Sequence, residues 1–232
     1  MKRAIGMLCF CLAAAPVFFL LPAAPASAGC GDRPAAGVDW SKCEKRRLML
    51  GSQNLSKGSF VRTDFSRSDL AGAKLAGADL TEADFEHARL AGADLSGANL
   101  AKASGSRANF VEAVLKGADL SKAEMARADF TGADFTGATM QKAELGRALL
   151  NDAVLDGADL TKAEIARAVF AGASLKGADL TGAYTYLTHF EATDLSAAKG
   201  LTQMQLDAAC GDAKTVLPEG LTAPAAWPCG QE

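Results

Sequence analysis

The chain has 232 residues, with 24 Lys and Arg against 27 Asp and Glu for a formal charge of −3. That mild acidity speaks against nucleic-acid or anionic-membrane binding. Once the leader described next is removed, the remaining length suits one domain.

Lys2 and Arg3 head an apolar run from Ala4 to Leu21, and Ala26-Ser27-Ala28 supplies the small-x-small pattern of a signal-peptidase site. Residues 1–28 therefore read as a secretory signal peptide, with the mature chain starting near Gly29. Cleavage would make the charge more negative by about two. Two alternatives stay open: an uncleaved anchor helix, since the run nearly spans a bilayer, and a lipoprotein acylated at Cys30. Ser27, where a lipobox carries a large aliphatic residue, counts against the second.

Of six cysteines, Cys9 and Cys11 fall in the leader. The others form two pairs, Cys30 with Cys43 and Cys210 with Cys229, one on each side of a long regular region. Export permits disulfides. Four cysteines allow three connectivities, and separation by the regular region favours local pairing. The first pair brackets "CGDRPAAGVDWSKC", where Trp40 offers a plug, so residues 29–47 read as an N-terminal cap.

From Leu50 to Leu195 every residue whose number is a multiple of five is Leu, Phe, Met or Ile, except Gly105 and Thr185. Ala stands two places earlier at each site from Ala73 to Ala183, and Asp or Asn often stands one place earlier, as at Asp79, Asp94 and Asn99. A period of five fits neither a helix nor a strand, and glycines such as Gly72, Gly92 and Gly117 oppose a helix at about 1 kcal/mol each. "AGADLSGANL" and "TGADFTGATM" resemble the pentapeptide-repeat family, whose pattern is A-(D/N)-(L/F)-x-x. The resemblance covers residues 48–197. It implies an all-β solenoid, a right-handed quadrilateral β-helix with one pentapeptide per side, four per coil, and the Leu and Ala of each unit pointing inward.

A second period of twenty sorts the outer residues. Lys102, Lys122, Lys142 and Lys162 form one series; Arg107, Arg127, Arg147 and Arg167 form another, with Glu124, Glu144 and Glu164 between. If coils stack, each series becomes a column, and the Glu column is expected to compensate the cations beside it. Roughly seven coils at about 4.8 Å would make a rod about 35 Å long. Gly105 leaves a gap in the bore that Phe85 and Met125 are expected to fill, with room for Leu in its place.

The open ends of such a rod invite aggregation. After the repeats, "LTQMQLDAACG" predicts a short capping helix: Thr202 and Gln205 form a capping box, Leu201 and Leu206 a staple, and Gly211 the stop. The tail "PEGLTAPAAWPC" returns with Trp227 and Cys229, so residues 198–232 read as the C-terminal cap.

No catalytic constellation is legible. His87 and His189 stand about five coils apart, out of reach of a shared metal; no phosphate loop stands apart from the five-residue beat; no cofactor or metal set is expected. Val114, Leu149, Val154 and Val169 are apolar where most outward sites are polar. By the twenty-residue count Leu149 shares a face with Val169, and Val114 shares the next with Val154. They form a candidate partner or self-association surface; the competing reading is scattered surface aliphatics.

The expectation is a non-enzymatic exported scaffold, periplasmic or extracellular, with a protein partner and no nucleic acid or membrane contact after leader cleavage. The resemblance carries one alternative, mimicry of duplex DNA toward a topoisomerase. The signal peptide and the Lys and Arg columns oppose it.

Overall fold

The computed structural model describes residues 29–229. The signal-peptide reading, on residues 1–28, lies outside the described residues.

Each pentapeptide folds alike. Two turn residues come first, then a buried small residue, an outward residue paired in a parallel β-bridge, and a buried large one. The alternation of the last three is the period-2 alternation of a strand reduced to its shortest length. The turn is closed by the N–H of the small residue on the carbonyl of the preceding centre, as in Ala78 to Leu75 at 3.0 Å. Its second residue has positive φ, such as 64° at Gly77 and 58° at Lys122, the mark of a type II turn. Positive φ costs a side-chain-bearing residue about 1–2 kcal/mol.

The Asp or Asn before the centre now has a reason. Its side-chain oxygen accepts the N–H two residues on, as Asp79 does from Thr81 at 3.1 Å and Asn99 from Ala101 at 3.0 Å. This Asx turn fixes the corners that follow such a residue.

Parallel bridges join residues twenty apart from Asp39 to Lys199, in four series that define four faces. The first runs through Asp39, Ser59 and Asp79; the second through Glu44, Asp64 and Asp84; the third through Met49, Asp69 and Arg89; the fourth through Asn54, Lys74 and Asp94. The ladder thus already starts within the segment read as the N-terminal cap. Backbone hydrogen bonds between coils are regular and short, as in Leu75 N–H to the Asp94 carbonyl at 2.7 Å.

The bore is closely packed. Centres from Leu55 to Phe170 are completely buried, save Gly105, which has no side chain to bury. Aromatic rings meet from coil to coil: Phe65 stacks on Phe85 at 5.5 Å and Phe110 on Phe130 at 4.8 Å. The space at Gly105 is taken. The Met125 sulfur sits 2.5 Å from where a β-carbon on Gly105 would stand, so the room for Leu read from the sequence is absent.

Near both ends the small inward residue becomes Ser or Thr, and the hydroxyl donates to a backbone carbonyl of an earlier coil. Thr63 reaches Trp40, Ser68 reaches Lys45, Thr188 reaches Ile165 and Thr193 reaches Phe170, all within 2.5–2.8 Å. At the N-terminal end Trp40 is buried against Phe60 and Phe65. Lys45 occupies a centre position there and is buried. Its ammonium lies 3.8 Å from the Trp40 ring centroid and donates to the Cys30 carbonyl at 2.6 Å. Desolvation lowers its pKa, partly offset by Asp32.

At the other end helix α1, Gln203–Asp207, lies over the second face, where Glu164↔Tyr184 is the last bridge of its series. The Thr202–Gln205 capping box is formed, and Leu206 is buried with Leu201 packed on the core. The helix ends at Ala208 in a right-handed conformation. Gly211, expected as the helix stop, lies further on and does something else: its backbone runs under the Trp227 indole, where any β-carbon would overlap the ring. Cys30 pairs with Cys43 and Cys210 with Cys229, with Cα atoms 5.5 Å and 5.4 Å apart.

Candidate interaction surface

The four corner edges of the rod differ sharply. Between the first and second faces the positive-φ residues are Lys42, Arg62, Glu82, Lys102, Lys122, Lys142 and Lys162, followed by Gly182. Between the second and third they are Arg47, Arg67, His87, Arg107, Arg127, Arg147, Arg167 and Leu187. At the two edges of the fourth face the positive-φ residues are mostly glycine, including Gly72, Gly92, Gly97, Gly117, Gly137 and Gly157, with Lys57 the one cation among them. The second face is therefore fringed by cations at positive φ, while the fourth carries mostly glycine at those positions, with Lys116 and Lys176 one place before Gly117 and Gly177.

The lower half of the second face is self-neutralised. Arg46 pairs with Asp64, while Arg62 and Lys102 both reach Glu82, at 2.6 Å and 3.6 Å. An open groove of about 480 Å³ there is lined by Arg46, Arg47, Arg67, Asp64, Asp84 and Glu86, among others. The upper half differs. Among the described residues, no salt bridge links Glu124, Glu144 or Glu164 to Lys122, Lys142, Arg127 or Arg147.

The apolar candidates are only partly brought together. Leu149 bridges to Val169 directly, and Leu149 is 39% exposed. Val114 and Val154 share the fourth face but are separated by Asp134, which pairs with Lys116 at 3.1 Å. A second patch escaped the sequence reading. Tyr184 and Tyr186, the chain's two tyrosines, lie with rings parallel within 15° at 6.3 Å beside Met204 of α1, which is 82% exposed. The signal was the break in the Glu124, Glu144, Glu164 series at Tyr184.

His87 stands on the Arg edge beside Glu86, and the Nδ1 of His189 lies 2.8 Å from Glu191. Among the described residues no group of three or more His, Cys, Asp or Glu is placed to hold a metal, and no helix is long and apolar enough to cross a membrane.

The pentapeptide-repeat family model matches in eight copies, over residues 54–86, 88–125, 113–152 and 148–184, more than half of the chain. The chain belongs to the pentapeptide-repeat family. Among solved members, HetL, a pentapeptide repeat protein involved in heterocyst differentiation regulation from the cyanobacterium Nostoc sp. strain PCC 7120, is 30% identical. That match covers 84% of this chain and 93% of HetL, with a TM-score of 0.40. Full-length QnrB1, a plasmid-mediated fluoroquinolone resistance protein, is 19% identical over 78% of this chain and 91% of its own, with a TM-score of 0.50. A pentapeptide repeat protein from the Arabidopsis thaliana thylakoid lumen is 33% identical over 51% of this chain and 69% of its own, with a TM-score of 0.30. No curated protein matches significantly. Family membership and the likeness to QnrB1 give the right-handed β-helix.

Proposed function

We propose that this pentapeptide-repeat protein is a non-enzymatic exported scaffold that presents a rigid wall to a protein partner. Residues 1–28 are its signal peptide, 29–47 and 198–232 its caps, and 48–197 a rod of about seven coils at about 4.8 Å each, closed by the short helix. The observation that carries this reading is the unbroken twenty-residue register of the outward residues between two disulfide-held ends. Such a wall holds side chains in fixed columns and offers a long contact surface, as repeat proteins do. Leu149 and Val169, side by side on the third face, are the proposed centre of the contact. Val114 and Val154 belong to its margin on the fourth.

Topoisomerase inhibition or protection by DNA mimicry is the weaker reading. A mimic of duplex DNA needs continuous negative charge, and the Lys and Arg edges interrupt it on the second face.

Intact mass measured on fractionated native cells, with and without reduction, tests the export reading. A species starting at Gly29 in the exported fraction that gains the mass of four hydrogen atoms on reduction supports it; a full-length reduced chain in the cytosol overturns it. In-cell crosslinking with the native chain and with Leu149→Asp/Val169→Asp tests the contact. A crosslinked partner band lost in the variant supports this surface, and an unchanged band removes it.

A further inference from the structure

Lys45 stands at an inward centre of the first coil, where later coils place Leu or Phe, and it is 7% exposed. It is the one buried charged residue among those described. An ammonium holds such a place only while an acceptor and negative charge stay beside it. Both come from one short segment. The Cys30 carbonyl accepts from Lys45 at 2.6 Å, and Asp32 supplies the opposing charge. The Trp40 ring lies against the ammonium, 3.8 Å from centroid to nitrogen.

That segment is thinly attached. Residues 30–37 are all exposed. Apart from the turn that Val38 closes on Ala35, one backbone hydrogen bond among the described residues ties 29–36 to the coil, from the Gly29 N–H to the Asp39 carbonyl at 3.0 Å. The covalent tie is the Cys30–Cys43 bond. Cys43 is buried but Cys30 is exposed, so a thiol approaches the bond from the Cys30 side. The far staple is unlike it. Trp227 there has its own hydrogen bond to the Ala209 carbonyl, whereas the buried indole N–H of Trp40 has no partner.

We propose that the Cys30–Cys43 disulfide is a redox latch on the bore mouth, with Lys45 as its release. Exchange with a dithiol passes the disulfide to the reductant, and its two electrons and two protons leave Cys30 and Cys43 as thiols. The segment then lifts, taking the Cys30 carbonyl and Asp32 with it. A buried charge stripped of its partners is strongly unfavourable, so Lys45 swings into water and the mouth opens onto Trp40. An apolar side chain at this position would stay in the bore whatever the state of the bond. The charge therefore couples the bond to the opening. The inference goes beyond the scaffold reading and stands independently of any contact on the third face.

The test uses the mature chain with Trp227→Phe, which leaves Trp40 as the one tryptophan. Acylation of Lys45 by N-hydroxysuccinimidyl acetate is followed by peptide mass spectrometry, with exposed Lys42 as the internal reference. Rates are taken before reduction, after dithiothreitol and after reoxidation. Lys45 should be protected at first, react about tenfold faster or more on reduction, and regain protection on reoxidation. Trp40 emission should shift red on reduction, and the shift should vanish when Lys45→Met is added. Cys30→Ser/Cys43→Ser should behave as the reduced chain and Cys210→Ser/Cys229→Ser as the oxidised one. A circular dichroism melt follows the rod itself. Loss of the fold on reduction, a Lys45 rate that reduction leaves unchanged, or an equal Trp40 shift in the Lys45→Met chain would each overturn the proposal.

Discussion

The sulfur of Met125 fills the site that a β-carbon on Gly105 would occupy, 2.5 Å from it, with the Phe110 ring 3.7 Å away. The missing side chain of one coil is supplied by the next. Overpacking a filled core costs about 1–3 kcal/mol, so Gly105→Leu is expected to destabilise by that amount. Adding Met125→Ala to it should recover most of the loss. Urea unfolding of the single and double variants checks this. A Gly105→Leu chain as stable as the native one would mean that Met125 moves aside freely.

Leu120 lies wholly within the bore. A carboxylate there has no partner and no water, and burial without either is strongly unfavourable. Leu120→Asp should therefore abolish the cooperative transition in circular dichroism at neutral pH. A native-like transition would refute the inward assignment.

The architecture was legible because the beat of five and its multiple of twenty each have one geometric meaning, a side and a coil. Leu149 and Val169 could thus be placed on a common face. What escaped was decided across coils, by shape or by backbone conformation. Gly105 reads as a gap unless the Met125 rotamer is known. Gly211 reads as a helix stop unless Trp227 is seen above it. The corner cations were visible as columns, but their positive φ was not. Lys45 was hidden because a charged residue at an inward position looks like the end of the repeat, when here its stem caps the bore.

Acid should act through the Asx turns. Hydrogen bonds from the hydroxyl and then the N–H of Ser41 hold the Asp39 carboxyl below the usual carboxylate range, and Ser196 does the same for Asp194. A carboxyl with a lowered folded-state pKa stabilises above its unfolded value of about 3.9, and that contribution vanishes as pH falls through the folded value. Stability should hold from pH 7 to 5 and decline below about 4. Asp39→Asn/Asp194→Asn keeps both acceptors without the charge, so its loss between pH 7 and 3 should be smaller. Parallel denaturation curves at the two pH values decide; equal losses would remove these carboxylates as the cause.

Gln205 secures the upper end twice over. Its side-chain oxygen accepts from the Thr202 N–H at 2.9 Å, and its amide donates to the carbonyls of Leu180 and Ala183 at 3.0 and 2.9 Å. Gln205→Glu keeps the acceptor and loses the donor, leaving those carbonyls facing a carboxylate. A loss of about 1–3 kcal/mol is expected, close to that of Gln205→Ala. Should Gln205→Glu melt like the native chain, the capping box alone would account for this residue.

The tail is held by two separable contacts. The Cys210–Cys229 bond closes a 19-residue separation, which in the chain-entropy account contributes about 3 kcal/mol. The Trp227 indole donates to the Ala209 carbonyl at 2.7 Å and covers Gly211. Gly211→Ala pushes the indole off its seat with the disulfide intact, while Cys210→Ser/Cys229→Ser frees the tail with the seat intact. Trp40 stays buried at the far end, so a red shift in tryptophan emission reports on Trp227. The shift should appear in Gly211→Ala at full disulfide content. If it appears only in the cysteine variant, the bond holds the tail and the indole merely follows.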